Sequence, residues 1–427
     1  MALSSSVPLP FTCPKVKIGS SSSSSSNYCL LGNWWGASLF NRRALGTTAI
    51  EAVPKQESSS PWLMLPPKFG SYYKFYKLAD NKVDTLSPSD AIRELPITCC
   101  RGSTHGWLAL LGNDTCILYN PISRRHIKLP SILNLPRMPY QDEENTDFSD
   151  ITKMILTCSP DDEDEENCRA LIINNWANAL AFCWPGRSKE WTLMLDENNN
   201  NREANIFYDD CVYSPRLKLF FALTNRRKIE TWDFGEPASS PPKLIKVDKC
   251  YLDTSLETSP FQSLCDDNDY LVSAGEDILY VIQYAMTPVG PDGSYLHDTV
   301  SGFPHVTVRF DIFKYDRKKG KFKYVDGSSS SCLGGYAIFV GALSHSVAIP
   351  ATRFPELKPD SIYFTDGYFP GSFDGYDDDY HFDDELVRGH DIGIYNYQDK
   401  TVSPCYYPCD VPSLKTIMPP PTWFFPN

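Results

Sequence analysis

The chain has no apolar run near the roughly 20 residues that a membrane-spanning helix needs. The nearest stretch, Cys29 to Phe40, is short and broken by Asn33, so the chain reads as soluble with no membrane span. A basic excess is missing as well. The net charge is −13 and the pI about 5.0, which argues against nucleic acid as a partner, because a phosphate backbone calls for a basic footprint. Among the 14 cysteines there is no Cys-x-x-Cys, and neither Cys99-Cys100 nor the loose Cys405 and Cys409 pair has a second pair nearby, so zinc is not expected. Their low density and irregular spacing suit buried small hydrophobes in a reducing compartment better than a disulfide framework. The seven histidines show no His-x-x-x-His spacing, and no Gly-rich phosphate loop precedes a helix. These absences leave no catalytic residues, no metal and no cofactor to expect.

What is present favours strands. Aromatics make up 13% of the chain (24 Tyr, 23 Phe, 9 Trp), and 34 Pro and 24 Gly punctuate it. Gly102 to Leu108 reads as strand and turn. It runs through a polar turn at Asn113-Asp114, a strand ending at Tyr119, an Asn120-Pro121 turn, and a further strand ending at Pro130. Later units open at Leu171, Leu219 and Tyr270, intervals of 48 and 51 residues. Kelch-type blades repeat at about 50 residues. No window of comparable length has a helical period. The expectation is an all-β fold over 61–427: a single kelch-like β-propeller of roughly seven blades.

Residues 1–60 differ from the rest. They hold the run Ser20 to Ser26, the basic residues Lys15, Lys17, Arg42 and Arg43, and no acid before Glu51. A Ser-rich, acid-free leader has the composition of an organellar transit peptide, with a disordered tail as the alternative. Poly-Ser leans to chloroplast and Arg42-Arg43-Ala44 keeps mitochondrion open. Arg124-Arg125 and Arg226-Arg227-Lys228 fall in predicted turns and read as solvated turn charges. The acidic runs Asp161 to Glu166 and Asp374 to Glu385 lack the EF-hand pattern and read as solvated loops. Ser103 and His105 are close, with no orienting carboxylate in view. His390-Asp391 would titrate near neutrality at a loop tip, or be a polar turn before the strand at Ile392.

Several segments occur in a characteristic order: Pro61-Trp62-Leu63-Met64-Leu65-Pro66; Gly102 to Leu108 with Tyr119-Asn120-Pro121; Leu180 to Pro185 with Trp191-Thr192; Leu333 to Gly341; Leu357 to Asp366; Gly389 to Tyr395; and Pro419 to Phe424. In that order they resemble the plant family of F-box-associated, KIB-type β-propellers, across nearly all of 61–427. Many members begin with an F-box, which has no counterpart in 1–60, so the chain looks like an organelle-directed branch. The resemblance implies a propeller. With the leader, it points to a non-enzymatic scaffold acting through unidentified protein partners inside an organelle. The alternative is a ubiquitin-ligase substrate receptor in cytosol or nucleus. Arg124, Arg125, Arg226 and Asp391 are named as partner contacts on their loop positions alone.

Overall fold

The computed structural model describes residues 60–67, 71–112, 114–135, 151–161, 167–175, 178–195, 206–235, 241–250, 265–286, 306–328, 332–341, 344–365, 391–404 and 421–426. The leader up to residue 59, the acidic segments 162–166 and 374–385, and His390 lie outside these residues.

Several strands form on apolar runs, and they stop at tight turns. β1 (Trp62–Met64), β2 (Tyr73–Lys77) and β3 (Lys82–Leu86) come first, followed by a four-residue helix at Asp90–Arg93. β4 (Cys99–Thr104), β5 (Trp107–Leu111), β6 (Cys116–Tyr119) and β7 (His126–Lys128) make an antiparallel meander. A second comprises β8 (Ile151–Leu156), β9 (Ala170–Asn174), β10 (Ala179–Cys183) and β11 (Thr192–Leu193). A third comprises β12 (Tyr208–Ser214), β13 (Leu219–Thr224), β14 (Lys228–Asp233) and β15 (Lys243–Lys249). A fourth comprises β16 (Cys265–Ala274), β17 (Asp277–Met286), β18 (Val306–Asp316) and β19 (Lys321–Tyr324).

The last group departs from a simple meander. β20 (Tyr336–Val340), β21 (Val347–Pro350), β22 (Ser361–Phe364), β23 (Gly393–Asn396) and β24 (Thr401–Pro404) are ordered β21-β20-β22-β23-β24, with β20 and β22 parallel. One parallel pair, Ser273 opposite Val347, links β21 to β16. Finally β25 (Thr422–Phe424) pairs antiparallel with β1, Trp62 opposite Phe424, so the Pro-Pro-Pro-Thr-Trp-Phe segment completes the first sheet. Trp423 then packs edge-on to Phe339, and its backbone N–H donates to Ser344 Oγ at 2.9 Å.

The innermost strands β25, β4, β8, β12, β16 and β21 follow one another around a closed cycle. Six apolar layers fill the spaces between successive sheets, and each draws residues from two neighbours. Alternation along a strand feeds both layers at once. In β5, Trp107, Ala109 and Leu111 enter the layer shared with β8–β11, while Leu108 and Leu110 enter the layer shared with β1 and β2. A strand buried on both faces is largely apolar, which is why β5, β10 and β9 up to Ile173 stand out as continuous hydrophobic runs.

The described strands group into six such units, within one of the roughly seven that the sequence spacing gives. The innermost strands β4, β8, β12 and β16 open at Cys99, Ile151, Tyr208 and Cys265, intervals of 52, 57 and 57 residues. The true repeat is longer than the one read from the apolar runs.

Turn chemistry is local. His105 (φ +50°) and Gly106 (φ +77°) form the two-residue turn between β4 and β5, where both central residues need positive φ. Asn120 Oδ1 accepts from Ile122 N and Ser123 N, both at 3.0 Å, and sets the Asn-Pro turn. At Gly102 a Cβ would lie 2.0 Å from the Met154 carbonyl oxygen, so β4 and β8 approach backbone to backbone.

Candidate functional site

Three consecutive innermost strands carry an extra residue near the same level. Pairing skips Arg101 in β4, Thr152 in β8 and Asp209 in β12. A bulge frees a residue from the ladder and re-aims its side chain. All three are polar, and the Thr152 hydroxyl is buried with no hydrogen-bond partner.

Beside the bulges lies an ion pair between Lys153 and Asp210, whose side chains are 4% and 2% exposed. Asp210 also accepts from Cys211 N at 2.7 Å and from Leu271 N at 2.8 Å, the latter on β16. One carboxylate thus ties three inner strands together. Burial pushes the Asp210 carboxyl above the ordinary range, while Lys153 and the two N–H donors pull it back. His345, beside Lys153 and His105, is driven well below the usual histidine range first by burial and then by those two neighbours, so it stays neutral.

Asp209 begins a second, acidic group. It is exposed, but protein surrounds it closely enough that burial, then Asp269, Asp210 and Asp267, push its carboxyl up to about 7 against the pull of Arg227. Asp269 rises to about 6, mainly through burial and opposed by Arg227. Arg227 pairs with Asp267 and reaches Asp269 at 3.7 Å. It sits in the β13–β14 turn with φ +51°, only partly exposed. The basic triplet was expected to be solvated turn charge; its middle member is instead a counter-ion to carboxylates on the next inner strand.

These groups share one end of the ring. Asn175, just past β9, donates to Tyr208 O at 3.3 Å and accepts from Tyr208 N at 3.1 Å, so β8 and β12 begin at the same end. Arg227 places the start of β16 there too. Arg226 belongs to this end. Arg124 and Arg125 do not: they are exposed in the β6–β7 turn, where Arg125 pairs with Asp161 beyond the finish of β8. Asp391 accepts from Thr307 N at 2.7 Å and from Thr307 Oγ1 at 2.5 Å. Thr307 in turn accepts from Gln283 Nε2 at 2.6 Å, and Gln283 accepts from the Tyr270 hydroxyl at 2.8 Å. The structure does not bring the four named residues together. Ser103 is fully buried and its hydroxyl has no partner, so Ser103 and His105 make no nucleophile–base pair.

Sequence reasoning missed Lys153, Asp209, Asp210 and Asp269. The available signal was a polar residue inside an otherwise apolar strand, as in Ile151-Thr152-Lys153-Met154-Ile155-Leu156.

The profile of the KIB1-4 β-propeller matches residues 75–396. The chain belongs to that family. No curated protein matches its sequence. Among solved structures, this KIB-type propeller is similar to the extracellular domain of a one component system from B. thetaiotaomicron. That likeness has 10% identity and a TM-score of 0.27, and covers 60% of this chain but only 26% of the other. It is also similar to the Cps50 (Swd1) β-propeller domain of Myceliophteria thermophila, at 9% identity and TM-score 0.28, covering 63% and 86% of the two chains. Citrobacter koseri AztD gives 12% identity and TM-score 0.29 over 59% and 51%. No helix among the described residues is long and apolar enough to cross a membrane.

Proposed function

We propose that this KIB-type propeller is a non-enzymatic protein-interaction scaffold. In this reading it takes a basic segment of its partner at the end of the ring where the inner strands begin. It works inside an organelle, reached through residues 1–60.

The observation that carries the reading is the acidic group Asp209, Asp267 and Asp269, opposed locally by Arg227 and seated on inner strands of the propeller. A net charge of −13 adds long-range attraction for a basic partner. The organellar part rests on the leader composition alone: poly-Ser, four basic residues and no acid before Glu51.

The test is binding of a Lys-rich peptide and a Glu-rich peptide of equal length to the full chain, by fluorescence anisotropy at low and raised salt. Binding of the Lys-rich peptide alone is expected, weakening with salt and lost in the Asp209→Asn/Asp269→Asn variant. Equal binding of both peptides, or retention in the variant, sinks the basic-segment reading. For localisation, the full chain and residues 61–427 are each fused at the C-terminus to a fluorescent reporter. Organellar signal from the full chain alone is expected, and cytosolic or nuclear signal from both returns the substrate-receptor reading.

A further inference from the structure

Five of the ten described cysteines belong to one layer, between the sheet of β4–β7 and that of β8–β11: Cys99, Cys116, Cys168 and Cys183 within it, and Cys158 packed against it. Cys158 and Cys168 differ from the others because they face each other across the β8–β9 hairpin.

The ladder shows this. Ile155 is opposite Leu171 and Leu156 is opposite Ala170. One step on, Thr157 N donates to Arg169 O at 3.0 Å, and Arg169 N donates to Thr157 Oγ1 at 2.9 Å. Cys158 and Cys168 come next in that register, one step beyond the Thr157–Arg169 bond and past the last regular pair. They enter the same layer as Leu156 and Ala170, so both side chains project to one face. The Cys168 thiol donates to the carbonyl oxygen of Cys158 at 3.1 Å. In a regular antiparallel ladder the pair next to a hydrogen-bonded one has Cα atoms about 4.5 Å apart, and the 3.1 Å thiol–carbonyl contact keeps the two cysteines neighbours in that register. That spacing lies within the roughly 4.4–6.8 Å that a disulfide bridges.

We propose that Cys158 and Cys168 are a redox-switched dithiol that closes into a disulfide, with a small-molecule disulfide of the glutathione type as oxidant. The two residues divide the work by access. Cys158 is half-buried and Cys168 is fully buried. The Cys158 thiol loses its proton and the thiolate attacks one sulfur of glutathione disulfide. The S–S bond of the oxidant breaks and one glutathione leaves, taking up a proton. Cys168 then loses its proton, and its thiolate attacks the Cys158 sulfur of the mixed disulfide and releases the second glutathione. Two protein thiols are oxidised to one disulfide, and one glutathione disulfide is reduced to two thiols.

The segment between them reads Ser159-Pro160-Asp161-Asp162-Glu163-Asp164-Glu165-Glu166-Asn167, six acids in nine residues. The bridge closes this segment into a ring. Asp161 is already held by Arg125, at the end of the propeller opposite the Asp209 group. The inference is therefore independent of the proposed partner site.

The sequence supplies a clean readout. Trypsin cuts after Lys153 and Arg169, so one peptide, Met154 to Arg169, carries both cysteines and no others. The full-length protein is incubated with glutathione disulfide, denatured in alkylating reagent, digested and analysed by mass spectrometry. The expected product is that peptide without alkyl groups, lighter by two hydrogen atoms than its dithiol form and restored by dithiothreitol. A Cys168→Ala variant should retain glutathione on Cys158, and a Cys158→Ser variant should leave Cys168 alkylated in full. Replacing the half-buried residue leaves the layer intact, so the second variant reads out even where the first folds poorly. Doubly alkylated peptide after oxidation overturns the proposal, as does a lasting glutathione adduct on wild-type Cys158 or a link from Cys158 to another cysteine.

Discussion

The middle strands and the innermost strands of this propeller obey opposite rules. In β5, β9 and β10 every residue is buried and both faces feed apolar layers. In β8 and β12 the sheet pairs along one edge only, and there the chain carries bulges, a buried ion pair and exposed Asp209. The difference follows from the ladder. A middle strand satisfies its backbone on both sides, so its side chains can all be apolar. An inner strand leaves one edge unpaired, and a buried edge N–H needs an acceptor. Asp210 supplies one, taking Leu271 N from the neighbouring sheet. Charged groups therefore gather where the ladder stops.

The largest effects should come from cutting one strand of each kind. Trp107→Ala, in a middle strand, should cost about 3–5 kcal/mol by urea unfolding, through lost burial and a cavity. Lys153→Ala, in an inner strand, should cost a similar amount, about 3–5 kcal/mol, because it leaves the Asp210 carboxylate buried without its cation. Rescue separates them. Adding Asp210→Asn to Lys153→Met should recover part of the loss, since the charge is gone and one backbone N–H keeps its acceptor. No charge change should rescue Trp107→Ala. If the double variant is no more stable than Lys153→Met alone, the ion pair is not what distinguishes the inner strands.

A smaller effect tests how tightly the inner strands meet. Gly102→Ala places a methyl 2.0 Å from the Met154 carbonyl, and backbone cannot swing aside as a side-chain tip can. The cost should sit at the upper end of the about 1–3 kcal/mol of overpacking. Gly335→Ala is the control: φ is +75° but nothing lies within 4 Å, so only the left-handed backbone is penalised, by about 1–2 kcal/mol. Equal melting-temperature losses would mean that β4 and β8 can part without strain.

The same contrast explains what could be read from the chain. The segment Leu333 to Gly341 contains β20, and the runs at Leu171, Leu180 and Leu219 fall on β9, β10 and β13, because doubly buried strands announce themselves by composition. The segment Pro419 to Phe424 stood out in the sequence, and it pairs with β1, Trp423 opposite Leu63. β8 and β12 were passed over, because Thr152, Lys153, Asp209 and Asp210 interrupt their apolar pattern. That omission also shortened the second interval, because Leu219 opens a second strand whereas Tyr270 lies in a first strand. The candidate site went unseen for the same reason, since its charges come together only when strands more than 50 residues apart become neighbours.

The smallest expected effect concerns the carboxylates themselves. Asp209 titrates at about 7 and Asp269 at about 6 in the folded chain, both above the value near 3.9 of an unfolded aspartate. A raised carboxyl pKa means that the folded state holds the proton more tightly. The stability it contributes is complete below about pH 4 and is lost as pH climbs through 6 and 7. From this cluster, melting temperature should be higher at pH 5 than at pH 8. Asp209→Asn should raise it at pH 8 more than at pH 5 and flatten the slope. Asp209 is exposed, so screening holds its share below about 1 kcal/mol. A slope unchanged in the variant would show that Asp209 ionises like any surface aspartate. The same titration bears on recognition, because the acidic group gains negative charge over this range. Affinity for a Lys-rich peptide should therefore strengthen between pH 5.5 and 8, whereas an apolar contact on the middle strands would be indifferent to pH.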